Sequence, residues 1–207
     1  MPEQSTVNGD LLEGFLADRT PRVRLYEPRG TAAVLGASGK PERDLKLAAL
    51  AADGVPVLRR RGGGGAVVLS PGQVVLALVT EVASAFANRQ YARTINGWFV
   101  EALAALGVDG LEQRGITDLA LRGRKVLGTS IYRSRAILFY QASLLVSNDV
   151  SLFARYLEHP HAEPDYREGR GHDAFCTSLR AEGHGLDPGS VIAALEPVAG
   201  RRLLALR

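Results

Sequence analysis

Three β-like runs at 117–121, 125–131 and 136–146 follow one another closely, with Gly123 placed as a hairpin turn between the first two. Strands joined by so short a connection pair antiparallel, which limits the folds open to the chain. More strand signals lie upstream. Arginine alternates with apolar residues at 22–26 as in a half-buried strand, 32–35 is an apolar run ending at Gly36, and 55–58 is a short strand. Runs at 66–69 and 74–79 meet at the turn Ser70-Pro71-Gly72-Gln73.

Helical signals are fewer. Segment 41–52 opens with Pro41 and early acidic residues, carries Leu45, Leu47 and Leu50, and stops at Gly54. From Asn88, read as an N-cap, the apolar residues Tyr91, Ile95, Phe99, Leu103 and Leu106 recur at helical spacing until Gly107. A short helix is expected at 151–157, a proline- and glycine-interrupted loop at 158–171, and a C-terminal helix opened by Asp187-Pro188. Leu11, Leu12, Phe15 and Leu16 predict a brief helix or a loosely held arm within residues 1–20. Strands outnumber helices, so the expectation is an α+β fold with a mixed, mainly antiparallel sheet and packed helices.

Composition narrows the function classes. The chain has 207 residues, 46% of them hydrophobic, enough for one sizeable core. A net charge of +3 spread along the chain argues against general nucleic-acid binding. Cys176 is the only cysteine, which excludes an internal disulfide framework and Cys-based zinc spacing. No apolar run reaches membrane-spanning length and MPEQSTVNGD has no signal-peptide character, so a cytoplasmic protein with no membrane partner is expected, as a monomer.

The segment Arg59-Arg60-Arg61-Gly62-Gly63-Gly64-Gly65-Ala66-Val67 sets three guanidinium groups before four glycines. Glycine runs are entropically costly and occur where backbone takes unusual conformations or lies flush against a ligand. Bare N–H groups in a concave turn hold anions, and arginine forks match phosphate or carboxylate. The reading is a site for a phosphate-bearing ligand, set against the alternative of a solvated hairpin tip. Val34-Leu35-Gly36-Ala37-Ser38-Gly39-Lys40 lacks the third glycine and the acidic residue of a dinucleotide fingerprint, and Pro41 after Gly39-Lys40 rules out a P-loop.

Lys125, read as sharing a strand face with Leu127 and Thr129, is placed in a partly buried cleft where it would neutralise charge on a carbonyl or phosphate; the alternative is an edge-strand lysine. Cys176 is a candidate nucleophile with His159, His161, His172 and His184 as possible partners, against the commoner buried structural cysteine. His159-Pro160-His161 has no zinc-site spacing.

Together these segments resemble the lipoate-protein ligase A and octanoyltransferase family, whose catalytic fold is shared with biotin ligases. Residues 59–67 are similar to its R-R-x-S-G-G-G-x-V. Asp118-Leu119 with Arg124-Lys125-Val126-Leu127-Gly128-Thr129-Ser130 is similar to N-D-L and K-x-x-G-x-A, and Gln141-Ala142-Ser143-Leu144-Leu145 to H-G-[ST]-L-L. The resemblance implies a biotin/lipoate ligase-like catalytic domain over 21–207 behind an arm or short helix at 1–20, without an accessory C-terminal domain. It implies an ATP- and magnesium-dependent ligase that converts lipoate or octanoate to an acyl-adenylate and transfers the acyl group to a lysine of a lipoyl-carrier protein or lipoyl domain. Some single-domain relatives serve dedicated carriers, including in sulfur-oxidising bacteria.

Residue by residue, the resemblance makes Lys125 the catalytic cation. Substrate and adenylate binding fall to Arg59, Arg60, Gly63, Gly64, Gly65, Ala66, Val67, Asp118, Gly128, Thr129, Ser130, Gln141 and Ala142, with Asp118 orienting Lys125 or holding Mg2+. Departures are Gly62 for serine, Leu69-Ser70 for His-Asp, Gln141 for histidine and Ser130 for alanine. Ser70-Pro71-Gly72-Gln73 is closer to the transferases' H-G-P-G-Q, but Cys176 lies too late to align with the transferases' thioester-forming cysteine. The alternatives are an acyltransferase using Cys176 and a non-catalytic module that binds an acyl chain or adenylate.

Overall fold

The computed structural model describes residues 6–83 and 87–206. Two sheets organise them. The larger is fully antiparallel, with β1 (Arg22–Tyr26), β5 (Gln73–Glu81), β9 (Ile137–Leu145), β8 (Arg124–Ser134), β7 (Asp118–Leu121) and β6 (Leu111–Arg114) in that spatial order. The smaller is mixed: β2 (Ala32–Leu35) pairs in parallel with β3 (Val57–Arg59) and antiparallel with β4 (Val67–Leu69). The expected mixed, mainly antiparallel α+β fold is what the chain forms.

Strand β5 is buried along its length up to Glu81 because both faces of the large sheet are covered. On one face Val74, Leu76 and Leu78 meet Ile95, Trp98 and Phe99 of α4 (Asn88–Ala104) and Val191, Leu195 and Val198 of α7 (Pro188–Arg202). On the other, Ala77, Val79 and Phe139 receive Leu11, Leu12 and Phe15 of α1 (Gly9–Asp18), so the alternation of a strand supplies two cores at once. Helix α1 is therefore packed on the sheet through a fully buried Phe15. As the sequence predicts, the Asp187 side chain caps α7, accepting the Ser190 N–H at 2.9 Å. No helix among the described residues is long and apolar enough to cross a membrane.

Four local expectations change. The helix predicted at 41–52 is two pieces, α2 (Pro41–Asp44) and α3 (Leu47–Ala52), separated by an extended Leu45. Leu45 is buried in a third core, with Leu35, Leu50, Val68 and Phe153, and forms a bridge with Leu157, while Lys46 N–H donates to the Tyr156 carbonyl and Glu158 N–H to the Asp44 carbonyl. Burying the leucine and pairing its neighbours outweighs continuing one helix. Asn88 lies inside α4 and Ala87 takes the cap position. Strand β6, with three exposed polar residues, carries no apolar alternation in the sequence and owes its existence to pairing with β7. Segment 158–171 contains a 3₁₀ turn, Asp165–Arg167, and runs into a short helix, α6 (His172–Phe175).

Candidate functional site

The β7–β8 hairpin turns at Arg122 and Gly123, both at positive φ (51° and 73°), the backbone a two-residue turn of this hand demands. Just beyond it the register slips: Leu119 pairs with Leu127 but Ala120 with Lys125, leaving one extra residue on β8. The bulge resets the faces of the strand. Leu127 and Val126 both enter the main core, and Lys125 lies instead over Gly128, where a Cβ would fall 2.9 Å from its Cε. The sequence-based face assignment for Lys125 is therefore wrong, although the partly buried position it led to is right.

Lys125 Nζ pairs with Asp118 Oδ1 at 2.8 Å, and the other carboxylate oxygen accepts the Tyr166 hydroxyl at 3.0 Å. Desolvation pushes the Tyr166 phenol well up, which keeps it a proton donor to that carboxylate. Both Asp118 oxygens are thus engaged, and among the described residues no group of three His, Cys, Asp or Glu side chains is placed to hold a metal ion. A magnesium ion that keeps its waters and rides on substrate phosphates needs only one or two carboxylates, so the donor set fits a nucleotide-borne ion and not a protein-built cage.

The glycine segment borders the same cleft and packs on β8 at Ser130 and Ile131. Arg60 is almost wholly buried, and its guanidinium donates from Nε to Ser130 Oγ (2.9 Å) and from Nη2 to the carbonyls of Gly63 (2.9 Å) and Gly65 (2.8 Å), with Nη1 toward Val34 O (3.4 Å). Burial without a counter-charge pushes its pKa down to about 10. In a trans peptide the carbonyl and the following N–H point in opposite directions. Turning the carbonyls of Gly63 and Gly65 onto Arg60 therefore directs the N–H groups of Gly64 and Ala66 away from it. Gly64 (φ 96°) permits that reversal and lies flush on the chain: a Cβ on Gly36 would stand 2.2 Å from the Gly64 carbonyl oxygen. Gly62 packs as tightly on β8, whereas Gly63 and Gly65 face open space.

Arg59 belongs to another part of this scaffold, donating to the carbonyls of Gly36, Ala37 and Gly39 at 2.9, 3.2 and 3.1 Å. Apart from Arg59 and Gly63, every expected site residue lines one cleft of about 910 Å³ between the two sheets, a volume suited to a small-molecule ligand. Gln141 Nε2 donates to the Val7 carbonyl (3.2 Å), Thr129 and Thr117 hydroxyls bond at 2.5 Å, and Ala66, Val67, Ala142, Leu145 and Phe153 give apolar wall. Ser70 is buried and close to Gln73 Nε2 (3.4 Å), and the Gly72 N–H donates to Glu27 Oε1 (2.7 Å) while its carbonyl accepts from Ser147 N–H (2.8 Å), so the turn at 70–73 is tied to the body of the fold.

Cys176 also borders the cleft, bridged through its backbone to Lys125, but its thiol is pushed up by burial and is a poor nucleophile at neutral pH. The nearby His172 is committed elsewhere. Its Nε2 lies 3.0 Å from the Glu158 carbonyl and its Nδ1 3.5 Å from Arg167 Nη2; because arginine only donates, Nδ1 accepts and Nε2 carries the proton. His159 pairs with Glu163 at 3.2 Å. The residues that sequence reasoning missed are Tyr166, Arg167 and Glu163 in segment 158–171. An aromatic beside an arginine, enclosed by prolines and glycines, was the available signal.

The arrangement has relatives. The family model for the lipoyl protein ligase A/B catalytic domain matches residues 8–198. A lipoate–protein ligase of Streptococcus pyogenes serotype M5 (strain Manfredo) is 32% identical over 104 residues, 50% of this chain and 30% of that protein, so the match spans under a third of the relative's length. Among solved structures, a bi-partite lipoate protein ligase from Thermoplasma acidophilum, studied with its E2 lipoyl domain, superposes with a TM-score of 0.77 at 20% identity, covering 91% of this chain and 72% of that one. A lipoate-protein ligase A bound with ATP gives 0.74 at 21% identity, covering 89% and 73%. This chain shares the fold of these lipoate ligases, and it belongs to the lipoyl protein ligase A/B catalytic domain family.

Proposed function

We propose that this chain is an ATP-dependent ligase that activates lipoate or octanoate as an acyl-adenylate and passes the acyl group to a lysine of a lipoyl-carrier domain. The observation that supports the reading is two anion-holding devices on one cleft: the N–H groups of Gly64 and Ala66 turned away from Arg60, and the Lys125 ammonium. Together they form a cradle for a phosphate joined to an acyl carbonyl. The name of the Streptococcus relative, the ATP bound to one structural neighbour and the E2 lipoyl domain studied with another support the same assignment.

In the first step a carboxylate oxygen of the fatty acid attacks the α-phosphorus of ATP, a new O–P bond forms and pyrophosphate leaves. The backbone N–H groups of Gly64 and Ala66 stabilise the phosphate oxygens, and Lys125 offsets the charge shared between phosphate and carbonyl. In the second, the neutral amine of the carrier lysine attacks the acyl carbon, AMP leaves and the amine loses a proton. The apolar wall of Ala66, Val67, Ala142, Leu145 and Phe153 holds the acyl chain away from water. A magnesium ion carried on the nucleotide would offset charge on the phosphates, and Asp118, beside Lys125, is the carboxylate that would help hold it.

Incubation with lipoate, ATP, Mg2+ and a lipoyl domain should release pyrophosphate in a lipoate-dependent manner and add one lipoyl mass to the acceptor. Absence of lipoate-dependent pyrophosphate release would sink the ligase reading and leave the binding-module alternative. Retained transfer by Cys176→Ser removes the thioester route.

A further inference from the structure

Tyr166 sits on the 3₁₀ turn Asp165–Arg167 and is 8% exposed. Its ring is fixed independently of its hydroxyl. The Phe175 ring centroid lies 5.0 Å away, the Arg114 guanidinium stands 5.5 Å over the ring, and the turn at Gly115 comes so close that a Cβ there would be 3.4 Å from the ring edge. From this fixed ring the hydroxyl reaches Asp118 Oδ2, while Oδ1 takes Lys125. The carboxylate is nearly buried, whereas the lysine side chain keeps 27% exposure and lies across Gly128, where any Cβ would block it. One partner of the pair is anchored and the other is free to move.

We propose that Tyr166 is a positioning residue for Lys125, acting through Asp118. It holds the carboxylate in one orientation, so that Asp118 steers the ammonium over Gly128 and into the cleft, and it keeps a donor on the carboxylate when the ammonium turns to an anionic substrate. Without the hydroxyl, a freed Asp118 follows the ammonium and competes with the acyl phosphate for it. The loss is then in the chemical step and not in substrate binding, because the glycine segment and the apolar walls are untouched. The inference rests on the ligase reading above.

The test is a kinetic cycle of Tyr166→Phe, Asp118→Asn and the double variant, followed by lipoate-dependent pyrophosphate release and by thermal melting. Loss of one hydrogen bond to a charged group should lower kcat of Tyr166→Phe about tenfold, with KM for lipoate and ATP within about twofold of wild type. Because Tyr166 acts through Asp118, the double variant should be no slower than Asp118→Asn alone, within about twofold. The proposal is overturned if Tyr166→Phe keeps wild-type kcat, if its loss lies in KM, if the two effects multiply, or if its melting point drops by more than about 5 °C, a purely structural effect. A wild type without lipoate-dependent pyrophosphate release overturns the ligase reading and this role together; an active wild type with a normal Tyr166→Phe overturns this role alone.

Discussion

Arg60 and Lys125 are two cations that line one cleft, and they are handled in opposite ways. Arg60 is buried among backbone carbonyls with no carboxylate beside it, and its donors are spent on the chain itself. Lys125 is partly exposed, carries an acidic partner and lies on a strand whose neighbour is a glycine. A guanidinium has a rigid fork that can organise several carbonyls at once, so it serves as scaffold. An ammonium is a point charge on a flexible stem, so under the proposed function it is the group that turns to a ligand. Position in the sequence, with arginines leading into glycines, would assign the phosphate to the guanidinium; the geometry gives Arg60 the task of aiming backbone N–H groups.

Substituting each cation in turn sharpens the contrast. Lys125→Met should lower kcat for adenylate formation by about 10²- to 10³-fold, while leaving the denaturation midpoint near wild type, checked by pyrophosphate release and urea unfolding. Equal loss of stability would break the distinction. Arg60→Lys should do the reverse in kind: a point charge cannot serve Ser130, Gly63 and Gly65 together, so unfolding free energy should fall by about 3 kcal/mol. Activity then falls because the loop is lost.

The contact between Gly62 and β8 gives a smaller effect. A Cβ at position 62 would stand 2.1 Å from Ser130 Oγ, so Gly62→Ser should cost about 1–3 kcal/mol in thermal or chemical denaturation. Gly62→Ser combined with Ser130→Ala should recover most of it. The family pattern that this chain resembles has serine at the first position and alanine at the second. The two departures are thus one exchange, with the hydroxyl beside Arg60 supplied from the strand instead of the loop. Additive costs in the double variant would refute that account.

The smallest expected effect lies outside the two cations. Burial holds His172 below its ordinary value of 6.5, with Arg167 and, more remotely, His159 and Lys46 acting in the same direction, while the Glu158 carbonyl opposes them. The folded state therefore resists a proton that the unfolded chain accepts, and stability is lost as pH falls through 6.5. Stability measured from about pH 7.5 to 5 should fall less steeply in His172→Gln than in the parent. An unchanged slope would show that the histidine is not the group responsible.

Much of this was legible from the chain because it depended on local chemistry. The Gly123 turn, the long helix with apolar residues at helical spacing, and the glycine run between two strands each carry their own cause. What escaped depended on partners distant in sequence. Leu45 leaves a helical pattern because Leu157 pairs with it, and β6 is a strand because β7 is beside it. Lys125 changed faces through a one-residue slip that no alternation rule registers. Tyr166 lay in a segment that looked like connection, and only the fold brings its hydroxyl to Asp118.

Segment 158–175 has both its ends fastened by backbone pairing, Leu157 to Leu45 at one foot and Cys176 to Lys125 at the other. Between the first foot and the packed Tyr166 the path can lengthen or shorten at little entropic cost, since closing a loop depends only weakly on its length. Residues there form one side of the cleft, including Pro160, His161 and Pro164. The chain therefore keeps Lys125 and Asp118 on paired strands, and places Pro160, His161 and Pro164 of the rim ahead of the packed Tyr166, on a stretch freer to vary. Change in what the protein admits can accumulate there without disturbing how it folds.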